Sequence, residues 1–205
     1  MSAIGYRTVT LSTTRIVVLM VLLLAAPFLA HGQADWKMLK NSEYNFRLYH
    51  PPGWTVITSD TPNSNAAVMG RNGEYIGICT VGVVPTPQTS RQTQRQLNEQ
   101  MDAVTMGPSE WVRAFKGAFP DIQIIETQKA KLQNQPARLV VSEMSSETLG
   151  NTTFLRTILL STLTPGLTWK VSRATSAPSM QVARASYKFW LPTFHGILRS
   201  FIVEQ

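Results

Sequence analysis

Downstream of residue 34 the groups able to do chemistry are few: two histidines, His50 and His195, and one cysteine, Cys79. A zinc site needs three or four ligands at short spacing, and neither histidine has such neighbours. His50 stands at the end of an alternating segment and His195 inside a helical one, so both read as ordinary polar members of their elements. Cys79 sits in Tyr75-Ile76-Gly77-Ile78-Cys79-Thr80-Val81, where a lone cysteine behaves as a small buried hydrophobe. A reactive thiol needs an electropositive, partly exposed setting. Glu143 and Glu147 lie close together in a serine-rich stretch, Ser142 to Glu147. A hydrolase would require one carboxyl of such a pair to be held protonated, whereas solvation is the ordinary fate there. Nucleophile-elbow, zincin, phosphate-loop and dinucleotide motifs are all absent. The expectation is a chain with no catalytic residue, no metal and no cofactor, and hence not an enzyme.

The elements that would carry these groups alternate in period. Tyr44 to His50 places Tyr44, Phe46 and Leu48 on one face, a half-buried strand. Pro51-Pro52-Gly53 ends it, and Trp54 to Ile57 begins a second extended piece. Trp54 has two readings, a cover for the sheet edge or an exposed recognition anchor. After a polar loop at 59–65, Ala66 to Arg71 and Glu74 to Val84 flank Asn72-Gly73, a strong hairpin signal. Leu97, Met101 and Val104 recur at helical spacing within Ser90 to Thr105. Ser109 is placed to cap a short helix presenting Trp111 or Val112, Phe115 and Phe119, closed by Pro120. Strands return at Ile122 to Ile124, Ala137 to Met144, Thr152 to Leu163 and Leu167 to Val171. Turns fall at Gln133 to Pro136, Gly150-Asn151 and Thr164 to Gly166. A helix from about Ser179 through Phe201 closes the chain, with Pro192 as a kink and Val182, Phe189, Phe194, Ile197, Leu198 and Phe201 as its buried stripe. Consecutive antiparallel strands with a helical insertion and a closing helix make an α+β class, one twisted antiparallel sheet flanked by helices.

The amino-terminal residues supply an address. Arg7 and Arg15 precede an apolar run from Ile16 to Ala30, and small residues follow it. That order is a secretory signal peptide, with cleavage after Gly32 or Ala34. The alternative, a retained membrane anchor, is disfavoured because the run is shorter than the ~20 residues a spanning helix needs. Residues 1–34 are therefore expected to leave, and 35–205 to form a single domain in the periplasm or outside the cell. Losing Arg7 and Arg15 lowers the net charge from +7 to +5. The closest basic pairs are Arg91/Arg95 and Arg184/Lys188, too sparse for nucleic acid. Weak association with an anionic membrane surface stays open beside a simply solvated basic surface.

Tyr44-Asn45-Phe46-Arg47-Leu48-Tyr49-His50-Pro51-Pro52-Gly53-Trp54 resembles the opening signature of PsbP-like domains, and Phe194-His195-Gly196-Ile197-Leu198-Arg199-Ser200-Phe201 resembles their final helix. The resemblance spans roughly residues 36–202, with recognisable words only at its two ends. It implies an α/β/α sandwich. Members include extrinsic subunits of photosystem II, a nuclear-transport factor that binds a small GTPase, and exported bacterial proteins of unknown role, which mostly act by binding other proteins. No site residue carries over, since the shared words are structural. The expected function is an exported, non-enzymatic protein-interaction module whose partner is another envelope or extracellular protein. The alternatives are a binder of small apolar ligands, using a groove by Trp111, Phe115 and Phe119, and an unrecognised hydrolase that would depend on His50, His195 and Glu143.

Overall fold

In the computed structural model, which describes residues 35–57, 66–117, 120–146 and 152–204, two antiparallel sheets and three helices form the α+β architecture. Expectations about the signal segment, Phe119, Glu147, the loop at 59–65 and the Gly150-Asn151 turn fall wholly or partly outside the described residues. A small sheet holds β1 (Lys37–Asn41), β2 (Phe46–His50) and β10 (Ile202–Val203), with β2 in the middle. A seven-stranded sheet holds β3 (Thr55–Ile57), β4 (Ala66–Asn72), β5 (Tyr75–Pro85), β9 (Leu167–Ala177), β8 (Thr152–Thr164), β7 (Gln135–Ser146) and β6 (Gln123–Leu132), in that spatial order. Helices α1 (Gln94–Ala103) and α2 (Pro108–Phe115) lie in the connection between β5 and β6, and α3 (Met180–Ser200) follows β9.

The single expected sheet is thus corrected to two, because β1 and β10 pair with β2 and not with the main sheet. Neither strand has an apolar alternation long enough to read, and β10 is only two residues. Its pairing puts the first and last strands among the described residues on either side of β2. Glu204 N donates to Asn45 O at 2.7 Å, and Asn45, at φ 55°, donates from Nδ2 to Glu204 O. Glu204 also reaches Arg47 at 3.2 Å and Lys40 at 3.3 Å. The rings of Phe46, Phe201 and Trp169 meet mutually within 6 Å, all three almost wholly buried. The two stretches that carry the family resemblance are one packed unit in space.

Turn chemistry explains the hairpins. Asn72 pairs with Tyr75, so the loop is Gly73-Glu74, one residue later than expected. Of its residues only Gly73 has positive φ, as a turn with glycine at the first central position demands. Gln133 and Asn134 both take positive φ between β6 and β7, and Gly166 does so between β8 and β9. Strand β6 runs on to Leu132, far beyond Ile124; Glu126 to Lys131, polar except for Ala130, lie on the edge of the sheet and show no apolar alternation to read. Its ladder shifts between Ile124 and Glu126, and Ile125 is exposed there. Strand β9 likewise continues to Ala177 through buried Ser172, Thr175 and Ser176, which hydropathy alone reads as solvent-facing.

Helix starts follow their caps. Thr93, not Ser90, begins α1: its hydroxyl accepts from Gln96 N while the Gln96 side chain accepts from Thr93 N. Gly107, not Ser109, caps α2, with Pro108 in its first turn and the Glu110 carboxylate accepting from Gly107 N at 2.7 Å. Ser179 caps α3, which continues through Pro192 to Ser200. The buried stripe of α3 is Ala183, Ser186, Trp190, Phe194 and Ile197, so the expected Phe189, which is exposed, is corrected to its buried neighbour Trp190. Small Ala183 and Ser186 carried no hydrophobic signal but let the helix settle closely on the sheet.

Candidate binding face

The main sheet has two differently furnished faces. Register places Gly77, Cys79, Val81 and Val83 of β5 in line with Thr175, Arg173, Val171 and Trp169 of β9. These continue into Leu155, Thr157, Leu159 and Ser161 of β8 and into Glu143, Val141, Leu139 and Ala137 of β7. This is the face under α3. A Cβ on Gly77 would lie 2.8 Å from the Trp190 ring, and one on Gly70 would lie 2.3 Å from Trp54. Trp54 is buried, edge-on to both Trp190 (5.2 Å) and Phe194 (6.4 Å), so it is a packing residue of this layer and not an exposed recognition anchor.

Polar groups accompany this packing. Thr157 Oγ1 and Tyr187 Oη share a 2.5 Å hydrogen bond, and the Arg173 guanidinium lies 5.8 Å from the Tyr187 ring centroid. Burial pushes the Tyr187 phenol up, offset in part by its Thr157 bond and by Arg173. Cys79 is wholly buried beside them, and desolvation pushes its thiol far above the usual thiol range despite Arg173. That thiol is held neutral, the reverse of what a nucleophile requires.

The other candidate groups are dispersed. His50 is buried at its strand end, its Nδ1 3.0 Å from the Pro51 carbonyl, to which it donates. His195 is exposed on α3, and desolvation with the nearby Arg173 and Arg199 charges lowers its pKa. Glu143 Oε1 accepts from Arg184 Nη2 at 2.6 Å and Nε at 2.8 Å. No group of three or more His, Cys, Asp or Glu able to hold a metal occurs among the described residues.

The opposite face carries α1 and α2. Trp111 is buried and stacks on Phe115 at 5.7 Å, and it forms a cluster with Val140, Ile158 and Leu160. Val104, Met106 and Ile124 pack around this cluster. Two of the aromatic residues expected to line a ligand groove, Trp111 and Phe115, are therefore seated on the sheet. Arg138, buried among them, donates from Nη2 to the carbonyls of Asp102 (2.8 Å) and Val104 (2.6 Å), ending α1 with a cation at its negative pole. Arg138 had no sequence signal; in β7 it reads as an ordinary solvated residue.

The face under α3 is only partly covered. Leu139, Val141 and Leu155 are half-buried, and Gln123, Glu126 and Gln128 of β6, on the same side, are exposed. Helix α3 packs on β5, β9 and β8, and Arg184 ties it to Glu143 of β7. No helix among the described residues is long and apolar enough to cross a membrane.

No family model and no curated protein sequence matches the chain. Solved structures similar to it include cyanobacterial PsbP from Synechocystis, at 12% identity and TM-score 0.49, covering 85% of this chain and 96% of that one. LpqN of Mycobacterium tuberculosis, described as involved in cell envelope biogenesis, is similar at 9% identity and TM-score 0.48, covering 88% and 96%. The Ran-binding protein Mog1p of Saccharomyces cerevisiae is similar at 10% identity and TM-score 0.43, covering 82% and 95%. The first of these has the PsbP-like fold that the two ends of the sequence resemble.

Proposed function

We propose that this protein is an exported, non-enzymatic module that works by binding another protein of the cell envelope or extracellular space. One observation carries the reading: of the four groups singled out for chemistry, three are tied to structural partners and the fourth, His195, is exposed on α3 away from them. Cys79 is sealed and neutral, His50 is spent on a backbone carbonyl, and Glu143 is clamped by Arg184. What the chain offers to solvent is surface, including the exposed apolar side chains Met38, Ile125 and Phe189. Export rests on the order of residues 1–34, a basic start, an apolar run and small residues.

The apolar-ligand reading is weakened by the seating of Trp111 against Val140, Ile158 and Leu160. Chemical cross-linking in the native host tests the main reading. The expected result is a reproducible hetero-complex in the envelope fraction, whose chain starts at Gln33 or Asp35 by amino-terminal sequencing. A protein recovered only as free chain, or one that turns over a substrate and loses that turnover on His50→Ala or Glu143→Ala, refutes it.

A further inference from the structure

The seven strands of the main sheet hold two carboxylates, Glu126 and Glu143, and register puts both on the face under α3. The opposite face of the strands has none, yet Arg156 of β8 and Lys170 of β9 both belong to it. Register aligns Arg156 with Ala174, Ile158 with Ser172 and Thr80, and Leu160 with Lys170 and Gly82. Helices α1 and α2 pack on β6, β7 and β8, to one side of Thr80, Lys170 and Ser172 on β5 and β9. Arg156 donates from Nη2 to Ser172 Oγ at 3.3 Å, and Ser172 Oγ shares a 2.5 Å hydrogen bond with Thr80 Oγ1. Two hydroxyls joined by one bond use one of their protons between them, so one O–H keeps its proton for a further acceptor. Lys170 is half-buried two residues along from Ser172, and no carboxylate among the described residues forms an ion pair with it. Burial and the nearby Arg156 charge both lower its pKa. An ammonium, a guanidinium and a hydroxyl donor therefore meet on one patch of sheet that has no negative charge of its own.

We infer that Lys170, Arg156 and the Thr80–Ser172 hydroxyl pair form a binding site for a phosphate group. The sign of the ligand follows from the donors, since each of them offers hydrogens and the strands around them offer no carboxylate. Its charge follows from the neighbouring cations. A phosphate monoester carries about −1.5 to −2 at pH 7 and matches two of them, whereas a carboxylate offsets only one. Phosphate oxygens also accept from a guanidinium in the geometry that Arg favours. Free phosphate and the headgroup of phosphatidic acid present the same chemistry to these residues. The site lies across the sheet from α3 and is independent of the protein-binding reading.

The test titrates the protein purified from its host with inorganic phosphate and with acetate at equal ionic strength. Phosphatidylcholine vesicles, with and without phosphatidic acid, form the second arm. Phosphate should shift the amide signals of Thr80, Lys170 and Ser172, and acetate should not. Lys170→Gln should weaken phosphate binding about tenfold, the loss of one charged donor. Thr80→Val should weaken it by less, and Lys188→Gln, on the outer side of α3, should leave it unchanged. Binding to phosphatidic acid vesicles alone, lost on Lys170→Gln, supports the site and makes a lipid headgroup the source of the phosphate. Acetate shifts as large as those of phosphate overturn the inference. So does binding that Lys170→Gln and Thr80→Val leave intact, or that Lys188→Gln weakens as much as Lys170→Gln does. A protein that answers neither phosphate nor the vesicles overturns it as well. None of these results bears on the cross-linking that tests the protein partner.

Discussion

The two faces of the seven-stranded sheet are built from the same strands and packed in opposite ways. Under α3, large rings rest directly on glycine backbone: Trp190 over Gly77 and Trp54 over Gly70. Beneath α1 and α2, side chains fill against side chains, as Trp111 does with Val140, Ile158 and Leu160. The first arrangement has no space to yield, because a ring against a backbone cannot rotate out of the way. Side-chain packing can adjust by rotamer changes. The tightly fitted face is also the one under α3, the longest helix among the described residues.

The largest effect that would test this contrast comes from adding atoms under α3. Gly70→Ala and Gly77→Ala should each cost about 3 kcal/mol, read as a lowered urea midpoint at constant slope. A loss under about 1 kcal/mol at both would show that the rings move freely and would erase the distinction. On the other face, Arg138→Leu should cost about 2 kcal/mol, because the Asp102 and Val104 carbonyls lose a charged donor. Amide exchange should then accelerate at the end of α1 and not in α3. Ile158→Leu, a volume-conserving change in the same cluster, should cost less than about 1.5 kcal/mol. A cost equal to that of Gly77→Ala would mean both faces are equally unforgiving.

Thr157→Val removes the hydroxyl bonded to Tyr187 and should cost about 1 kcal/mol. The smallest effect is on pH. The folded state holds His195 below its ordinary pKa of 6.5, so the unfolded chain binds the proton more readily. The urea midpoint should therefore fall slightly as pH drops below about 6.5, and His195→Gln should flatten that part of the profile. A midpoint that rises on acidification would place a carboxylate beside His195.

Much of the architecture could be read before any coordinates. The Asn72-Gly73 signal marked the β4–β5 hairpin even though the loop sits one residue later, since glycine is what permits the turn. The candidate face was less legible. Arg138 and Ser172 are polar residues that burial converts into packing or capping groups, and nothing in their local sequence distinguishes them from solvated ones. Phe189 and Trp190 were equally plausible members of the α3 stripe; the choice depends on where Gly77 leaves room.

The amino-acid order by itself settled the period of each segment, its turns and the α+β class, because those depend on backbone conformation and on neighbours a few residues away. Tertiary structure alone decided the split into two sheets and the union of Phe46 with Phe201. Those arise from contacts between residues more than a hundred positions apart, whose free energy exists only once the chain has closed on itself.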